Sequence, residues 1–346
     1  MSMKEILVTG HNGFIGSLLV NLLIEKGYRV TGLDTDFFNS DCELFHEEKE
    51  IKVIKKDIRQ LNETDLQGID AVCHLAALSN DPLGTLNPDL TLEINYKASV
   101  RLAKLCKKIG VSRFIYSSSC SLYGKAGDDA LTEEAPFNPV TAYARSKVMT
   151  EQEVLPLGTK KFCVTSLRNA TAYGISPKLR LDLVVNNLVG WALVTGEIKI
   201  LSDGTPWRPI VHAEDIARAF IAVIEAPAEQ VNRQAFNVGI DSENYRVKEI
   251  AEAVGRMIPY CEIVITGEHG ADTRSYRVDF GKIKKQLPGF KPAWNLEKGI
   301  HQIQENYRRY KMDDKKFNSR YFIRLKQIEH LLTTGRIDDE LYWRQP

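Results

Sequence analysis

Short apolar runs alternate with helical patterns through the first 170 residues of the chain. The runs that predict strands are 5–10, 29–34, 51–58, 70–78, 113–119 and 161–168. Apolar positions recur at helical spacing in 14–27 and 95–110, and a third helix is predicted to begin near Thr141. Such alternation predicts parallel βαβ units, and the near-continuous apolar strands indicate a sheet buried on both faces. The expected fold class is α/β, with a Rossmann-type doubly wound parallel sheet.

The pattern changes after about residue 170, where loops such as ISPKLRLD and SDGTPWRP separate shorter elements. We expect residues 1–170 to form the main domain and residues 171–302 to form most of a smaller C-terminal lobe. A segment near 205–240, including a helix over 212–227, is expected to return to the main sheet. Residues 303–346 are predicted to be a helical extension that serves packing or dimerisation.

Composition and charge exclude several classes of partner. Charged residues make up 26% of the chain and the formal net charge is +1, so there is no electrostatic footprint for nucleic acid or an anionic membrane. No apolar stretch reaches the length of a membrane span, and the start, MSMKEILVTG, lacks the pattern of a signal peptide. The 6 cysteines show no metal-ligand or redox-pair spacing. We therefore expect a reduced, cytoplasmic protein without a metal site.

The stretch TGHNGFIG places Gly10, Gly13 and Gly16 directly after the first strand and at the start of a helix. Glycines allow a tight turn and a close approach of phosphates, which the helix N-terminus attracts. The spacing is G-x-x-G-x-x-G, so the motif alone still allows a glycine-rich turn without a ligand.

Two carboxylates strengthen the dinucleotide interpretation. Asp34 ends the second strand, where it can accept hydrogen bonds from both hydroxyls of an adenosine ribose. It would repel a 2′-phosphate, and no Arg or Lys follows closely, so NAD is favoured over NADP. Asp57 and Ile58 end the third strand, where a side chain can reach the adenine; taken alone, Asp57 is equally consistent with a turn residue.

The stretch YARSK places Tyr143 and Lys147 four residues apart, and therefore on one face of a helix. A free tyrosine is a poor base at neutral pH, but a neighbouring ammonium and a positive nicotinamide ring favour the phenolate. Tyr143 could then take a proton from a substrate hydroxyl while hydride leaves the same carbon. Ser119, at the end of the fifth strand, would hydrogen-bond that oxygen.

Together these motifs resemble the extended short-chain dehydrogenase/reductase family, in its nucleotide-sugar epimerase/dehydratase branch. The resemblance spans nearly the whole chain. It runs through GHNGFIG, DI at 57, HLAA at 74, IN at 94, YSSSCSLYG at 116, YARSK, LRNATAYG at 167 and RPIVHAEDIARA at 208. It implies NAD binding by the N-terminal lobe and nucleotide-sugar binding by the C-terminal lobe, with Ser119, Tyr143 and Lys147 at the catalytic positions.

The resemblance also implies the residues that contact each ligand. The cofactor contacts are Gly10, Gly13, Phe14, Ile15, Gly16, Asp34, Asp57, Ile58, Leu75, Ala76, Ala77, Asn95, Ser117, Tyr143 and Lys147, with Asn95 bracing the active-site helix. The substrate contacts are Ser79, Ser118, Cys120, Asn169, Thr171, Lys178, Arg180, Asn186, Asn187, Arg208 and Arg274. Among these, Arg208 matches an arginine that contacts the nucleotide diphosphate, and Arg274 is a second candidate for that contact.

The chain departs from its relatives next to the catalytic serine. The 4,6-dehydratases carry Asp-Glu there, whereas Ser119 is followed by Cys120 and Ser121, and the glutamate of the decarboxylating relatives is also missing. Thr171 stands where many relatives have an asparagine. Cys120 is either a packing residue, which we favour, or a base like the cysteine of 3,5-epimerising relatives; its register relative to Tyr123 does not match theirs.

The leading hypothesis is an NAD-dependent nucleotide-sugar epimerase that acts at C4 through a transient 4-keto sugar. One alternative is a nucleotide-sugar C4 dehydrogenase or 4-keto-sugar reductase with net redox change. An alternative of another class is a non-catalytic protein that senses NAD(H) or a sugar nucleotide. The resemblance further implies a homodimer, built partly from helices 95–110 and 141–155. We interpret His74 and His212 as structural residues.

Overall fold

The computed structural model describes residues 4–38, 40–79, 81–267 and 274–344. The predicted segments 1–170, 171–302 and 303–346 each include a few residues outside these ranges. The strands are β1 (Glu5–Thr9), β2 (Arg29–Asp34), β3 (Lys52–Lys55), β4 (Ala71–His74), β5 (Arg113–Ser119), β6 (Lys125–Leu131), β7 (Cys163–Asn169), β8 (Thr171–Tyr173), β9 (Glu197–Ile200), β10 (Trp207–His212), β11 (Gln234–Val238), β12 (Asn244–Arg246), β13 (Glu262–Ile265) and β14 (Ser275–Val278).

Helices fill the connections between most of these strands. They are α1 (Phe14–Glu25), α2 (Asp81–Leu86), α3 (Pro88–Leu92), α4 (Ser99–Ile109), α5 (Ala142–Val154), α6 (Val184–Thr195), α7 (Ala213–Glu225), α8 (Ala228–Val231), α9 (Val247–Met257), α10 (Gly281–Gln286), α11 (Leu296–Arg309), α12 (Asp314–Phe317) and α13 (Arg324–Thr333). None of the helices within the described ranges is both long enough and apolar enough to cross a membrane.

The large sheet has seven strands in the order β11-β7-β5-β4-β1-β2-β3, and every pair in it is parallel. Strand order reverses beside β1, so the carboxyl ends of β1 and β4 diverge there and leave a crevice for a ligand. All six predicted strands belong to this sheet, and the predicted α/β doubly wound fold class is confirmed.

Two apolar cores cover the two faces of the large sheet. On one face α1 and α7 pack together against a core that includes Leu19, Phe220 and Phe236. On the other face the core includes Leu7, Phe114 and Ile328, and the last of these belongs to α13. The C-terminal end of the chain therefore packs against the N-terminal sheet.

A third core holds the smaller lobe together around Val189, Ile198 and Ile250. The lobe contains a three-stranded sheet, β12-β10-β8, and a two-stranded sheet, β13-β9. Strand β11 follows α7 in the chain and joins the large sheet beside β7. The domain limits themselves stay a prediction.

Three predicted elements differ from the structure in a way that bears on the site. The helix predicted over 95–110 begins as a π-helical turn, Glu93–Ala98, before α4. The strand predicted over 51–58 is only Lys52–Lys55, since Asp57 caps a short 3-10 turn. The predicted helical extension over 303–346 contains the end of α11, α12, a short 3-10 turn and α13, and after α13 an isolated bridge joins Ile337 to Trp343.

Candidate active site

A cavity of about 830 Å³ lies at the carboxyl ends of the strands of the large sheet. It collects residues that follow or end β1, β2, β4, β5 and β7, which is where a doubly wound sheet binds ligands. The predicted site residues that line it are Gly10, Gly13, Phe14, Ile15, Gly16, Asp34, Asp57, Ile58, Leu75, Ala76, Ala77, Ser79, Ser117, Ser118, Ser119, Tyr143, Lys147, Asn169, Thr171, Arg180, Arg208 and Arg274.

The glycine turn is shaped by contacts that no side chain would fit. Gly10 has φ +72°, and a Cβ there would lie 2.9 Å from the backbone nitrogen of Ala76. A Cβ at Gly16 would lie 2.0 Å from the carbonyl oxygen of Gly10. Gly13 precedes α1 and offers no side-chain cap, so the first N–H groups of that helix are available to an anion. The cradle fits the diphosphate of a dinucleotide.

Asp34 is held in place beside this turn. Its carboxylate accepts hydrogen bonds from the backbone N–H of Asn12 (3.2 Å) and of Asp36 (2.9 Å). Burial raises the pKa of Asp34, and these N–H groups and the nearby His11 oppose that shift. Asp57 also lines the cavity, but both its oxygens bind the guanidinium of Arg59, at 3.0 and 2.9 Å. Asp57 therefore caps a turn as well as bordering the cavity.

The floor of the cavity holds the three predicted catalytic side chains. Tyr143 and Lys147 project from α5, with the Lys147 nitrogen 5.5 Å from the centre of the Tyr143 ring. Lys147 donates to the carbonyl oxygen of Ser117 at 2.7 Å, so β5 fixes its position. Ser119 ends β5, and its hydroxyl accepts a hydrogen bond from the N–H of Ser121 at 3.1 Å.

Burial shifts both titrating groups of the floor toward their neutral forms. It raises the pKa of Tyr143 to about 12, assisted by the negative Asp81 and opposed by Ser119, Arg180 and Arg274. It lowers the pKa of Lys147 to about 7. Since a phenolate and an ammonium stabilise each other in a low-dielectric site, the charge states of Tyr143 and Lys147 are coupled.

Asn95 fixes the catalytic helix from behind the cavity. Its side-chain amide exchanges two hydrogen bonds with the backbone of Leu78, at 2.8 and 3.1 Å, and donates to the hydroxyl of Ser146 at 3.3 Å. The backbone carbonyl oxygen of Asn95 accepts a hydrogen bond from the hydroxyl of Thr150 in α5 at 3.0 Å. The same oxygen also accepts from the hydroxyl of Ser99 at 2.7 Å, next to the end of the π-helical turn. Asn95 therefore acts as a positioning residue and does not line the cavity.

Three residues that line the cavity beside the floor carry unpartnered polar atoms. The hydroxyls of Ser118 and Ser121 and the amide oxygen of Asn169 are buried without a hydrogen-bond partner. The Asn169 amide nitrogen donates to the Ser117 hydroxyl at 3.0 Å, which orients it. Buried polar atoms without partners are costly, so these three groups fit a ligand that supplies donors and acceptors.

Arginines line the substrate side of the cavity. Arg180 forms a two-pronged ion pair with Asp182, at 2.9 Å for each prong, and donates to the Ser79 hydroxyl at 3.2 Å. Arg274 binds Asp81 at 2.7 Å, and Asp81 in turn accepts from Thr141 at the start of α5 at 2.6 Å. Arg208 is nearly buried beside the Arg274 backbone.

Four predicted substrate contacts lie outside the cavity lining, each for a physical reason. Cys120 is fully buried and donates to the carbonyl oxygen of Arg168 at 3.1 Å; burial raises the pKa of its thiol far above the usual range. Lys178 binds Glu43 at 2.8 Å. Asn186 and Asn187 bind backbone groups of the 174–181 segment. Cys120 is thus a core side chain and the other three are bonded within the fold, and their roles as substrate contacts stay predictions.

The two singled-out histidines are also structural. His74 lies between the hydroxyls of Thr9 and Ser99, both at 2.7 Å, and burial lowers its pKa to about 3. His212 accepts from the N–H of Glu214 at the start of α7. No cluster of three or more His, Cys, Asp or Glu side chains within the described ranges could hold a metal ion.

Sequence reasoning missed several residues that line the cavity. They are chiefly Phe37, Phe38, Asp81, Asp182, Arg324, Leu325 and Ile328. Asp81 follows the HLAA strand closely, so its position offered a signal. Arg324, Leu325 and Ile328 come from α13, and no local motif connects them with the glycine turn.

Comparisons with known proteins agree with this geometry. The model of the family described as "NAD dependent epimerase/dehydratase family" matches residues 6–239. The UDP-glucose 4-epimerase of Bacillus subtilis is 26% identical over 328 residues, covering 86% of this chain and 94% of its own. A solved structure of a Thermotoga maritima UDP-glucose 4-epimerase with UDP-glucose is 27% identical to this chain, with TM-score 0.77. The match covers 88% of this chain and 99% of that one.

A further solved structure carries both kinds of ligand. MoeE5 in complex with UDP-glucuronic acid and NAD is 28% identical to this chain, with TM-score 0.77, and the match covers 88% of this chain and 99% of that one. Because the family model spans more than half of the chain, the predicted family is confirmed: the chain belongs to the NAD dependent epimerase/dehydratase family.

Proposed function

We propose that the protein is an NAD-dependent nucleotide-sugar 4-epimerase. The observation that carries the proposal is the juxtaposition of Tyr143 and Lys147 beneath a cavity whose wall is the glycine turn. Cys120 and Ser121 follow Ser119, where a dehydratase would need a carboxylate pair. The site therefore supports removal and return of one hydride better than loss of water.

The chain's own residues would handle the proton and hold the sugar. When bound, NAD accepts hydride from the sugar carbon and returns it. Tyr143 takes the proton of the C4 hydroxyl, and Lys147 stabilises the phenolate form of Tyr143. Ser119 hydrogen-bonds the same oxygen and keeps it near Tyr143. The unpartnered groups of Ser118, Ser121 and Asn169 are available to the rest of the ligands.

The arginine-lined side of the cavity suits a nucleoside diphosphate. Guanidinium groups bind diphosphates through two parallel hydrogen bonds, and Arg180, Arg208 and Arg274 all border this region. UDP-glucose and UDP-glucuronic acid, which the two solved relatives carry, are the first substrates to test. The predicted homodimer, with α4 and α5 at its interface, and the predicted cytoplasmic location belong to the same proposal.

The test starts with the cofactor. The protein is purified without added cofactor and denatured, and the supernatant is assayed for NAD(H). Near-stoichiometric NAD is expected of an epimerase that keeps its cofactor. UDP-hexoses and UDP-hexuronates are then incubated with the protein, and C4 inversion is followed by NMR.

Other outcomes select the alternatives. An empty site together with net absorbance change at 340 nm would identify a C4 dehydrogenase or a 4-keto-sugar reductase. Turnover that persists unchanged in Tyr143→Phe would refute the role of Tyr143. No turnover on any sugar nucleotide, with NAD(H) still bound, would favour a sensing protein.

A further inference from the structure

The C-terminal part of the chain returns to the cavity and contributes residues to its lining. We call residues 313–344 the C-terminal strap. It contacts the smaller lobe, where Phe317 packs edge-on against Trp191 at 5.3 Å. It then reaches the large sheet, where the Trp343 indole donates to the Thr35 carbonyl at 2.6 Å and Arg59 lies 3.9 Å from the Tyr342 ring centre. The strap therefore spans from one lobe to the other.

The strap contributes a wall of the cavity. Arg324, Leu325 and Ile328, in the first turns of α13, line it together with Phe37 and Phe38 of the loop after β2. The match to MoeE5 leaves about 42 residues of this chain, 12% of it, without a counterpart while covering 99% of the relative. That remainder is large enough to contain the strap.

Arg324 is the polar side chain of this wall. It is 2% exposed, and its guanidinium carbon lies 4.0 Å from the Phe38 ring centre. One terminal nitrogen, Nη2, donates to the carbonyl oxygen of Lys178 at 3.0 Å. The other, Nη1, is buried without a hydrogen-bond partner. The side chain is therefore positioned but incompletely bonded.

The charge of Arg324 also lacks a direct partner. Within the described ranges no carboxylate lies in ion-pairing distance of it, whereas Arg180 is paired with Asp182. Burial and the neighbouring Arg180 lower the pKa of Arg324 to about 10, so it is still a cation at neutral pH. The carboxylates of Asp182 and Asp34 attract this charge through space, but neither forms an ion pair with it. A buried cation without a direct partner is unfavourable, which points to an anionic ligand.

The position of Arg324 selects the part of the ligand. Arg324 lines the same cavity as Asp34, at the predicted adenosine ribose site, and the glycine turn. The segment whose Lys178 carbonyl it binds also packs against the first turn of α1, where the hydroxyls of Ser176 and Ser17 are 2.8 Å apart. In a dinucleotide, the group between the two riboses is the diphosphate. A 2′-phosphate would lie against the carboxylate of Asp34, which disfavours it.

We propose that Nη1 of Arg324 donates to the diphosphate of bound NAD, and that the C-terminal strap thereby slows release of the cofactor. This inference rests on NAD binding but not on the reaction or on the sugar. It adds to the glycine turn a second contact for the same group, supplied by a residue more than 300 positions later in the chain.

The test uses the full-length protein freed of cofactor and measures the Kd of NAD, NADP, ADP-ribose and adenosine, together with the dissociation rate of NAD. In Arg324→Met, the Kd of NAD and of ADP-ribose is expected to rise by roughly 10- to 100-fold, the worth of one charge-assisted hydrogen bond. The Kd of adenosine, which lacks the diphosphate, should change less than about threefold. The matched control is Lys326→Met, an exposed cation of the same helix.

Several outcomes would overturn the proposal. Equal losses for adenosine and ADP-ribose would make Arg324 a packing residue, and unchanged NAD affinity and release rate would remove its role entirely. A larger loss for NADP than for NAD would move the contact to a 2′-phosphate. If Arg324→Met fails to fold, Arg324→Lys replaces it, because lysine keeps the charge. Arg324→Lys is expected to weaken binding of ADP-ribose more than binding of adenosine. Equal weakening of both would refute the contact.

Discussion

Two walls of the same cavity are built in opposite ways. The glycine turn wall, residues 10–16, is contiguous in sequence, and the backbone of its three glycines shapes it, with Phe14 and Ile15 beside them. The strap wall, Arg324 with Leu325 and Ile328, is made of side chains that arrive from the far end of the chain. The first is a local motif and the second is a tertiary arrangement. The comparison teaches that a local motif and a tertiary arrangement can border one ligand site. Only the local motif can be recognised in the sequence.

The largest effect is expected from breaking the glycine turn wall. In Gly16→Ala the new Cβ would lie 2.0 Å from the Gly10 carbonyl oxygen, a backbone atom that cannot move without opening the turn. We expect bound NAD to fall below about a tenth of the wild-type content, and the protein to lose about 1–3 kcal/mol of stability. NAD released on denaturation and a thermal melt measure both.

Gly127→Ala is the matched control, since a Cβ there would meet nothing within 4 Å. It should keep its NAD and its melting temperature. Retention of full NAD content by Gly16→Ala would mean that the turn is not the phosphate cradle, and the strap wall would then have to hold the cofactor alone.

The next effect is expected at Asp34, which lies beside the glycine turn wall and acts through its side chain. Asp34→Asn removes a charged acceptor of ribose hydrogen bonds, so the Kd of NAD should rise roughly 10-fold or more. The Kd of NADP should rise less, because the repulsion of a 2′-phosphate is also removed. Calorimetric titration with both dinucleotides measures the ratio.

Asp36→Asn serves as its control, because Asp36 binds Asn12 and Lys55 and does not line the cavity. Its Kd for NAD should stay near the wild-type value. If both variants lost affinity equally, the effect would come from the conformation of the 34–36 loop and not from a contact with ribose.

The same contrast explains which parts of the molecule could be predicted. Strands β1 to β5 and β7 follow from apolar periodicity, and the cavity residues of the turn, the floor and the strand ends follow from motifs placed on that order. Strand β6, with the sequence KAGDDAL, was not predicted, because it has few apolar positions. The π-helical turn at Asn95 could not be predicted, because it depends on hydrogen bonds to Leu78 and Thr150 across the fold.

Three predicted substrate contacts show what a resemblance alone cannot predict. Lys178, Asn186 and Asn187 were assigned from the resemblance, but each side chain bonds to a nearby partner in the folded chain. Polar residues bind the partners that folding brings close, and the sequence does not name those partners. Arg324 is the opposite case: its surroundings in sequence are those of an ordinary helix, and only the path of the strap gives it a site.

A smaller effect is expected from loosening the anchor of the strap wall. Trp343→Ala removes the hydrogen bond to Thr35 and a ring contact to Phe37, whose centres are 5.6 Å apart. We expect NAD to dissociate roughly 3- to 10-fold faster, with little change in its association rate, because such changes act mainly on dissociation. Stopped-flow fluorescence gives both rates.

Trp343→Phe separates the two contributions of this anchor, since it keeps a ring against Phe37 and loses only the indole donor. Its dissociation rate should fall between those of the wild type and Trp343→Ala. An unchanged rate in both variants would show that the strap does not limit escape of NAD, whatever Arg324 contributes to affinity.

The smallest effect is expected at Cys120, which lies beside the catalytic serine in sequence but belongs to neither wall. Its thiol is fully buried and bonded to a backbone carbonyl, and burial holds it protonated. Cys120→Ala should therefore cost about 1 kcal/mol of stability and leave kcat and NAD release within threefold of the wild type. A general base, by contrast, contributes about 100-fold or more to kcat. A loss of that size in a folded Cys120→Ala, measured by NMR turnover, would mean that the thiol reaches the sugar in the working enzyme and that the reaction extends beyond C4.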